Sequence, residues 1–461
     1  MTRMPRSRAG RAAALGGVLG AETAKRAARK ATDLVRTDTA AEKSRDTLFA
    51  EQLVTVLGSM RGLAMKVGQL LSLIDPGILT PDQRELFQSA LAKLQDDGPC
   101  VPWERMRGRL ETALGGAVTA VFAEFDTEPV AAASIGQVYR ARLTDGRAVA
   151  VKVQYPGIEA AVTADLKNLR TLLSAYRFLR PELDTGALAD ELAARMTEEL
   201  DYRIEARNTA YLAERYAGHP FIRIPEVVAE LSGQHVIVTE WLAGQPLRSA
   251  YTASTAERNR LAEILFRFYG ATPYLLGQYN ADPHPGNVVL LDDGSVGFLD
   301  FGLCKTVDAA TAAAELAALR AGIDGDVDRV VELMETRGFA RRADVGPAAA
   351  FAVFLQVFGW YLRDEEAAIT PEIANDLVGL FGAKSGVSLR PFNLPAAHAL
   401  RGRAELQLAA VLGQLRPRLN LHRIAREWIF GDEPVTELGR AHRAWQDAAR
   451  HRERATEKHI D

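Results

Sequence analysis

The chain has 461 residues, 48% of them hydrophobic and 25% charged, which excludes a disordered or low-complexity protein. A formal net charge of −3 gives no reason to expect a nucleic-acid partner. The only cysteines are Cys100 and Cys304, so neither a disulfide framework nor a zinc site is expected.

Residues 1–40 form a basic, alanine-rich leader. Up to Arg36, the cations Arg3, Arg6, Arg8, Arg11, Lys25, Arg26, Arg29, Lys30 and Arg36 face only Glu22 and Asp33. Such a stretch is either a solvated tail or a surface that lies on an anionic membrane. The apolar run 12–21 lacks a secretory cleavage pattern. The most apolar later segment, Ala348 to Leu362, is interrupted by Gln356 and runs into Arg363-Asp364-Glu365. It is too short to span a bilayer and reads as a core helix. The expectation is a cytoplasmic chain, with any membrane contact peripheral and at the inner surface.

Residues 41–116 read as a helical extension. Leu53, Val56, Leu57, Met60, Leu63, Ala64 and Val67 keep helical spacing until Asp75-Pro76-Gly77. Thr80-Pro81 opens a second helix, and a third runs from Trp103 to Leu114 before Gly115-Gly116.

Residues 117–245 begin with strand character near Val121. Gln137 to Leu143 and Ala148 to Gln154, joined by Thr144-Asp145-Gly146, read as a β-hairpin. Ile158 to Leu179 is helical, Ala187 to Tyr216 reads as one long charged helix, and Ile224–Val228 and His235–Trp241 read as two more strands. Residues 246–461 read as a helical lobe. Its one expected sheet element is the hairpin Val288–Leu291 / Val296–Leu299, with helices alone expected after Ala309.

The chemistry lies in a few stretches. Asp282-Pro283-His284-Pro285-Gly286-Asn287 is followed, beyond a hairpin, by Asp300-Phe301-Gly302. An Asp, an Asn five places on and a later Asp-Phe-Gly have the spacing of a kinase catalytic loop and metal site. Asp282 stands where the base would be, and Asn287 and Asp300 where Mg²⁺ would be held, since that ion takes hard oxygen ligands and nucleotide phosphates. His284, between two prolines, reads as a structural hydrogen-bonding group, and Val288 and Phe301 read as packing residues. Cys304 reads as a small buried residue.

Lys152 in Val149-Ala150-Val151-Lys152 has the form of the strand lysine that grips ATP phosphates. Upstream, Ala131-Ala132-Ala133-Ser134 leads to Gly136 and Val138 in the slot of the glycine-rich phosphate loop. Alanine replaces two glycines there, which stiffens the loop. Glu240, at the end of a strand before the connector, completes the expected nucleotide-binding set. Glu198, Glu199, Asp201 and Glu205 cluster on the long helix. The first, third and fourth share a stripe, but periodicity does not choose the partner of Lys152. Lys66-Val67-Gly68-Gln69 places two polar groups in an apolar helix.

Together these segments resemble the UbiB/AarF family of atypical kinases. The matching runs are Lys66-x-Gly68-Gln69, Ala131–Ser134 with Ile135-Gly136-Gln137-Val138-Tyr139, and Val151-Lys152-Val153-Gln154-Tyr155-Pro156-Gly157. Glu199-x-Asp201-Tyr202-x-x-Glu205-Ala206 and the two catalytic stretches complete them. The resemblance implies an α+β, protein-kinase-like bilobal fold with a small antiparallel N-lobe sheet, a helical C-lobe and an N-terminal helical extension. It implies Lys66 and Gln69 in the cleft, with Lys66 near Glu199 and Asp201, and Glu205 as partner of Lys152. It further implies use of ATP/ADP with Mg²⁺, and a link to isoprenoid quinone or other membrane-lipid metabolism through a small lipid-soluble molecule.

Only Leu303 to Val307 separates Asp300-Phe301-Gly302 from the next helix, so the platform for peptide substrates is missing. An ATPase or small-molecule kinase is therefore expected before a protein kinase. A nucleotide-gated lipid-presenting protein with incidental catalysis is the alternative from another class.

Overall fold

The computed structural model describes residues 101–176, 190, 193–194, 196–341, 343–372, 392 and 396–457. The basic leader, Lys66, Gln69 and Cys100 lie outside them.

Helix α1 (Trp103–Leu114) ends at Gly115, whose φ of 68° only glycine adopts cheaply. Strands β1 (Phe122–Phe125), β2 (Ala131–Ala132), β3 (Gly136–Leu143), β4 (Ala148–Gln154) and, later, β6 (Val236–Glu240) make one antiparallel sheet. Its order is β1-β3-β4-β6, with β2 on β3. The β3–β4 hairpin closes where expected: Gly146 has φ 91°, and Asp145 accepts from the Arg147 backbone N–H at 3.0 Å. Val149, Val151 and Val153 of β4 are buried, which puts Lys152 on the opposite face. Met106 and Leu110 of α1 belong to the same core cluster as these valines.

Helix α2 (Ile158–Tyr176) follows the sheet, and α3 (Tyr202–Arg215) carries Glu205. The long helix expected over Ala187 to Tyr216 is broken at Leu200-Asp201. Asp201 is the N-cap of α3, its side chain accepting from the Arg203 N–H, so it does not continue a helical stripe with Glu198. The buried Gln154 carboxamide donates to the Leu200 carbonyl at 2.9 Å and pins this break to the sheet. The strand expected at Ile224–Val228 is also absent. Strand β5 is Ile222–Arg223, and Val227 makes only an isolated bridge to Thr239.

After β7 (Gly244–Pro246), helix α4 (Thr255–Phe266) is capped by Ser254 and passes through a π turn at Arg267–Ala271 into α5 (Thr272–Leu276). Strand β8 (Gln278–Asn280) leads into the Asp282 loop. The hairpin β9 (Val288–Leu291) / β10 (Val296–Phe298) joins a sheet of order β5-β10-β9-β7, in which β5 and β10 are parallel. Strand β11 (Cys304–Thr306) pairs with β8, setting Cys304 opposite Asn280. Thus β5, β7, β8 and β11 are sheet elements the sequence pattern did not reveal.

Helices α6 (Ala309–Asp324), α7 (Val327–Thr336), α8 (Pro347–Leu362), α9 (Ala396–Leu415), α10 (Leu421–Ile429) and α11 (Glu437–Glu457) complete the second lobe. The expectation of helices alone here fails at one point: β12 (Ala367–Ala368) pairs with β13 (Arg418–Leu419). The lobe's core includes Phe266, Phe268, Phe298 and Phe301, with the Phe268 and Phe298 rings stacked at 3.8 Å. Phe301 has no exposed surface, which anchors the Asp-Phe-Gly turn in this lobe. The result is an α+β, two-lobed, kinase-like fold.

Candidate active site

Lys152 and Glu205 meet across 53 residues of chain. Lys152 Nζ donates to both carboxylate oxygens of Glu205, at 2.7 and 2.9 Å, and to Asp300 Oδ2 at 3.2 Å. It also sits 5.2 Å from the centroid of the Tyr202 ring, a favourable cation–π distance. Burial pulls the Lys152 pKa down, but the Asp300 and Glu205 carboxylates outweigh it and hold the ammonium well above its usual range. Burial has the opposite effect on Glu205. It outweighs the attraction of Lys152, Asp300 adds repulsion, and the carboxyl is pushed up to about 7. The two shifts pull the pair in different senses. Both Glu205 oxygens receive Nζ–H donors, an arrangement that favours the carboxylate, so the geometry describes the charged pair.

Several backbone and amide contacts fix this triad. The Tyr202 N–H donates to the Gln234 carbonyl at 3.0 Å and ties the start of α3 to the loop before β6. Asn208, one turn beyond Glu205, donates from Nδ2 to the Phe301 carbonyl at 2.9 Å and accepts from Gln278 Nε2 at 3.3 Å. Helix α3 is thereby clamped to the Asp-Phe-Gly turn. Within that turn the Gly302 N–H donates to Asp300 Oδ1 at 2.9 Å.

Asn280 organises the loop that follows it. Its Nδ2 donates to the Asp300 carbonyl at 2.7 Å, and its Oδ1 accepts from the Asp282 N–H at 2.9 Å. One buried carboxamide therefore spaces the two aspartates. The Asn287 carbonyl accepts from the Leu299 N–H at 2.9 Å, which holds Asn287 beside the strand end that leads to Asp300. His284 Nδ1 accepts from the Gly286 N–H at 3.1 Å, a loop-shaping contact. Cys304 is half-buried, and burial together with the Asp300 and Glu205 charges pushes its thiol pKa up, so it is not a thiolate.

Ala131 and Ala132 form β2 against Gln137 and Val138, and Val138 is opposite Lys152. Ala133 and Gly136 close the tight turn through Ser134, the Ala133 N–H donating to the Gly136 carbonyl at 2.8 Å. Glu240 ends β6 opposite Val149 and takes a long 3.4 Å bond from the Glu226 N–H; it is not bonded to Lys152. Glu199 adds negative charge near Glu205 and Tyr202, whereas Asp201 is paired with Arg203 at 2.8 Å. Glu198 pairs with Lys305 at 3.0 Å. The sequence reasoning assigned nothing to Asn208 and Asn280. For Asn280 a signal existed, since an Asn two residues before Asp282 is an Asx-turn pattern.

Mg²⁺ fits this donor set. Lys152 donates to the carboxylates of Glu205 and Asp300, and Asn280 links Asp300 to the backbone of Asp282, so hard oxygen groups are gathered here. Among the described residues no group of three or more His, Cys, Asp or Glu side chains is arranged to hold a metal alone. An ion held by one carboxylate, one carboxamide and the oxygens of a nucleotide needs no such group.

A strand lysine, a helical glutamate and an Asp-Phe-Gly aspartate gathered between a small sheet and a helical lobe define a protein-kinase-like fold. Residues 93–334 match the model of the ABC1 atypical kinase-like domain, and the chain belongs to that family, which includes the AarF proteins. It is 31% identical over 376 residues to the Synechocystis protein sll0005, covering 81% of this chain and 54% of that one. It is 32% identical over 243 residues to AarF domain-containing protein kinase 1 of Xenopus tropicalis, covering 52% and 46%. The chain thus spans about half the length of these curated relatives. The structure of Rv3197 from Mycobacterium tuberculosis in complex with erythromycin is also similar. Its TM-score is 0.62 at 31% identity, covering 82% of this chain and 94% of that chain.

Proposed function

We propose that this protein is a Mg²⁺-dependent ATPase or small-molecule kinase. The observation that carries the reading is Lys152 bonded at once to Glu205 and Asp300. In a kinase fold, this constellation orients the α- and β-phosphates and brings the metal carboxylate beside them. Lys152 binds the phosphates, Glu205 holds Lys152 in place, Asp300 and Asn287 hold the ion, and Asp282 accepts the proton of the attacking hydroxyl or water. The Ala131–Ser134 turn and Glu240 line the nucleotide side. Mg²⁺, when bound, neutralises charge on the β- and γ-phosphates.

A small acceptor is favoured over a peptide. Strand β11 pairs with β8 directly after Gly302, and Asp308 caps α6 through the Thr311 N–H at 2.8 Å. The segment that docks peptides in protein kinases has no length left here. From the family resemblance we assign the acceptor to isoprenoid-quinone or other membrane-lipid metabolism, reached by peripheral contact. Among the described residues no helix is long and apolar enough to cross a membrane.

The test is phosphate release from ATP by the wild type and by Asp300→Asn. Mg²⁺-dependent release by the wild type, lost in the variant, supports the reading. Equal background release by both contradicts it.

A further inference from the structure

Helix α9 lies beyond the matched residues 93–334, yet it reaches the Asp282 loop. Gln407 Nε2 donates to Asp282 Oδ1 at 3.4 Å, across 125 residues of chain. This bond is long for its type, and bonds of this kind tighten once the reacting groups are in place.

Three observations set Gln407 apart from a packing residue. Leu400, Ala404 and Gln407 share one helix face at i, i+4 and i+7. Leu400 and Ala404 are buried, in the cluster that contains Tyr279 and Ala281 at the base of the loop. The neighbours of Gln407 on the buried side of that face, Leu400 and Ala404, are apolar. In addition, Gln407 Oε1 is sealed from solvent with no hydrogen-bond partner. An orphaned buried acceptor is a net cost to folding, and costs of this kind are kept where function needs the group.

The helix is also firmly seated. Arg401 pairs with Glu405 at 2.8 Å and lies over the rings of Tyr274 and Tyr279, 5.6 and 5.5 Å from their centroids. Its Nε is 3.7 Å from Glu315 Oε2 of α6. Tyr279 immediately precedes Asn280, so the anchor of α9 and the base of the catalytic loop are one packed unit.

We infer that Gln407 is a positioning residue for the phosphoryl-transfer reaction. Its carboxamide donates to the Asp282 carboxylate and fixes which oxygen faces the attacking hydroxyl or water. The catalytic loop is then completed by a helix from outside the family-matched region. This inference rests on the proposed phosphoryl-transfer function.

The test is a double-substitution cycle with Gln407→Leu, Asp282→Asn and both together. For Gln407→Leu, kcat for phosphate release should fall about ten-fold, the worth of one hydrogen bond to a charged group. KM for ATP should not move, and the thermal midpoint should hold or rise. In the Asp282→Asn background the second substitution should change kcat no further. Wild-type kcat in Gln407→Leu, or independent multiplying effects, overturns the inference. Should the wild type release no phosphate, the proposed function fails. Thermal unfolding of the same four proteins then judges the contact: non-additive midpoints retain it, and additive ones overturn it.

Discussion

Replacing Glu205 by glutamine separates the shape of the Lys152 clamp from its charge. In the wild type, Nζ donates to both Glu205 oxygens, at 2.7 and 2.9 Å, and more weakly to Asp300 at 3.2 Å. Glutamine retains one acceptor and turns the other into an N–H₂ group facing the ammonium. One charge-assisted bond is lost, at about 2 kcal/mol. Relief of the burial that pushes the Glu205 pKa up to about 7 offsets much of that in the folded state. Lys152 also keeps Asp300 as a counter-ion, so stability should fall by no more than about 1–2 kcal/mol, less than the cost of a buried charge left without a partner. Catalysis should not be spared. Lys152 no longer has a full charge on α3 and moves onto Asp300, where it competes with the ion. A loss of about 2 kcal/mol in transition-state stabilisation is about a 30-fold fall in turnover. The assay is phosphate release at saturating Mg²⁺ and ATP beside thermal melts of the same samples. Unchanged turnover in a folded variant would refute the reasoning, as would a loss matched in full by unfolding.

Three further outcomes are expected. Gly136→Ala should destabilise the fold by about 1–3 kcal/mol in denaturant titrations, because the new methyl meets the Val153 carbonyl oxygen and lies 2.8 Å from the Tyr202 hydroxyl; a neutral effect would mean that β3 and β4 separate easily. The buried pair His219 Nε2–His442 Nδ1, 2.8 Å apart, joins α11 to the turn that follows α3, and burial lowers the two pKa values to about 2 and about 3. The folded values lie below the ordinary 6.5, so the unfolded chain binds more protons. Stability is then full above about pH 6.5 and falls on acidification by roughly 1.4 kcal/mol per pH unit for each histidine. Denaturant titrations at pH 8, 6 and 5 should show that slope, reduced in His442→Leu; an equal slope in both would show that the pair is not responsible. Asn280→Ala should cost more in turnover than in stability, since it frees both aspartates; unchanged phosphate release would show that Asn280 is not needed to space them.

How much of this was legible follows from where each contact sits in the chain. The Asp145-Gly146 turn, the alternating valines of β4 and the Asp282 and Asp300 stretches are local patterns, and local geometry dictates them. The break at Leu200-Asp201 has a local part, the Asp201 N-cap, and a distant part, the Gln154 side chain on the Leu200 carbonyl, and charge spacing alone reads through both. The choice of Glu205 over Glu198 came from resemblance, since both sit in a charged helical context. Strands of two or three residues, such as β8 and β11, carry too few side chains for a period-two pattern. Asn208 acts through partners 70 and 93 residues away, and Gln407 through one 125 residues away, which no periodicity reports.

The central claim is that Lys152, Glu205, Asp300 and Asn287 form one nucleotide–metal site. Calorimetric titration of ADP into the intact protein, with and without Mg²⁺, tests it most directly. Binding that strengthens with Mg²⁺ in the wild type, and loses that dependence in Asp300→Asn, is the predicted result. No nucleotide uptake, or uptake indifferent to both the ion and the substitution, would contradict it.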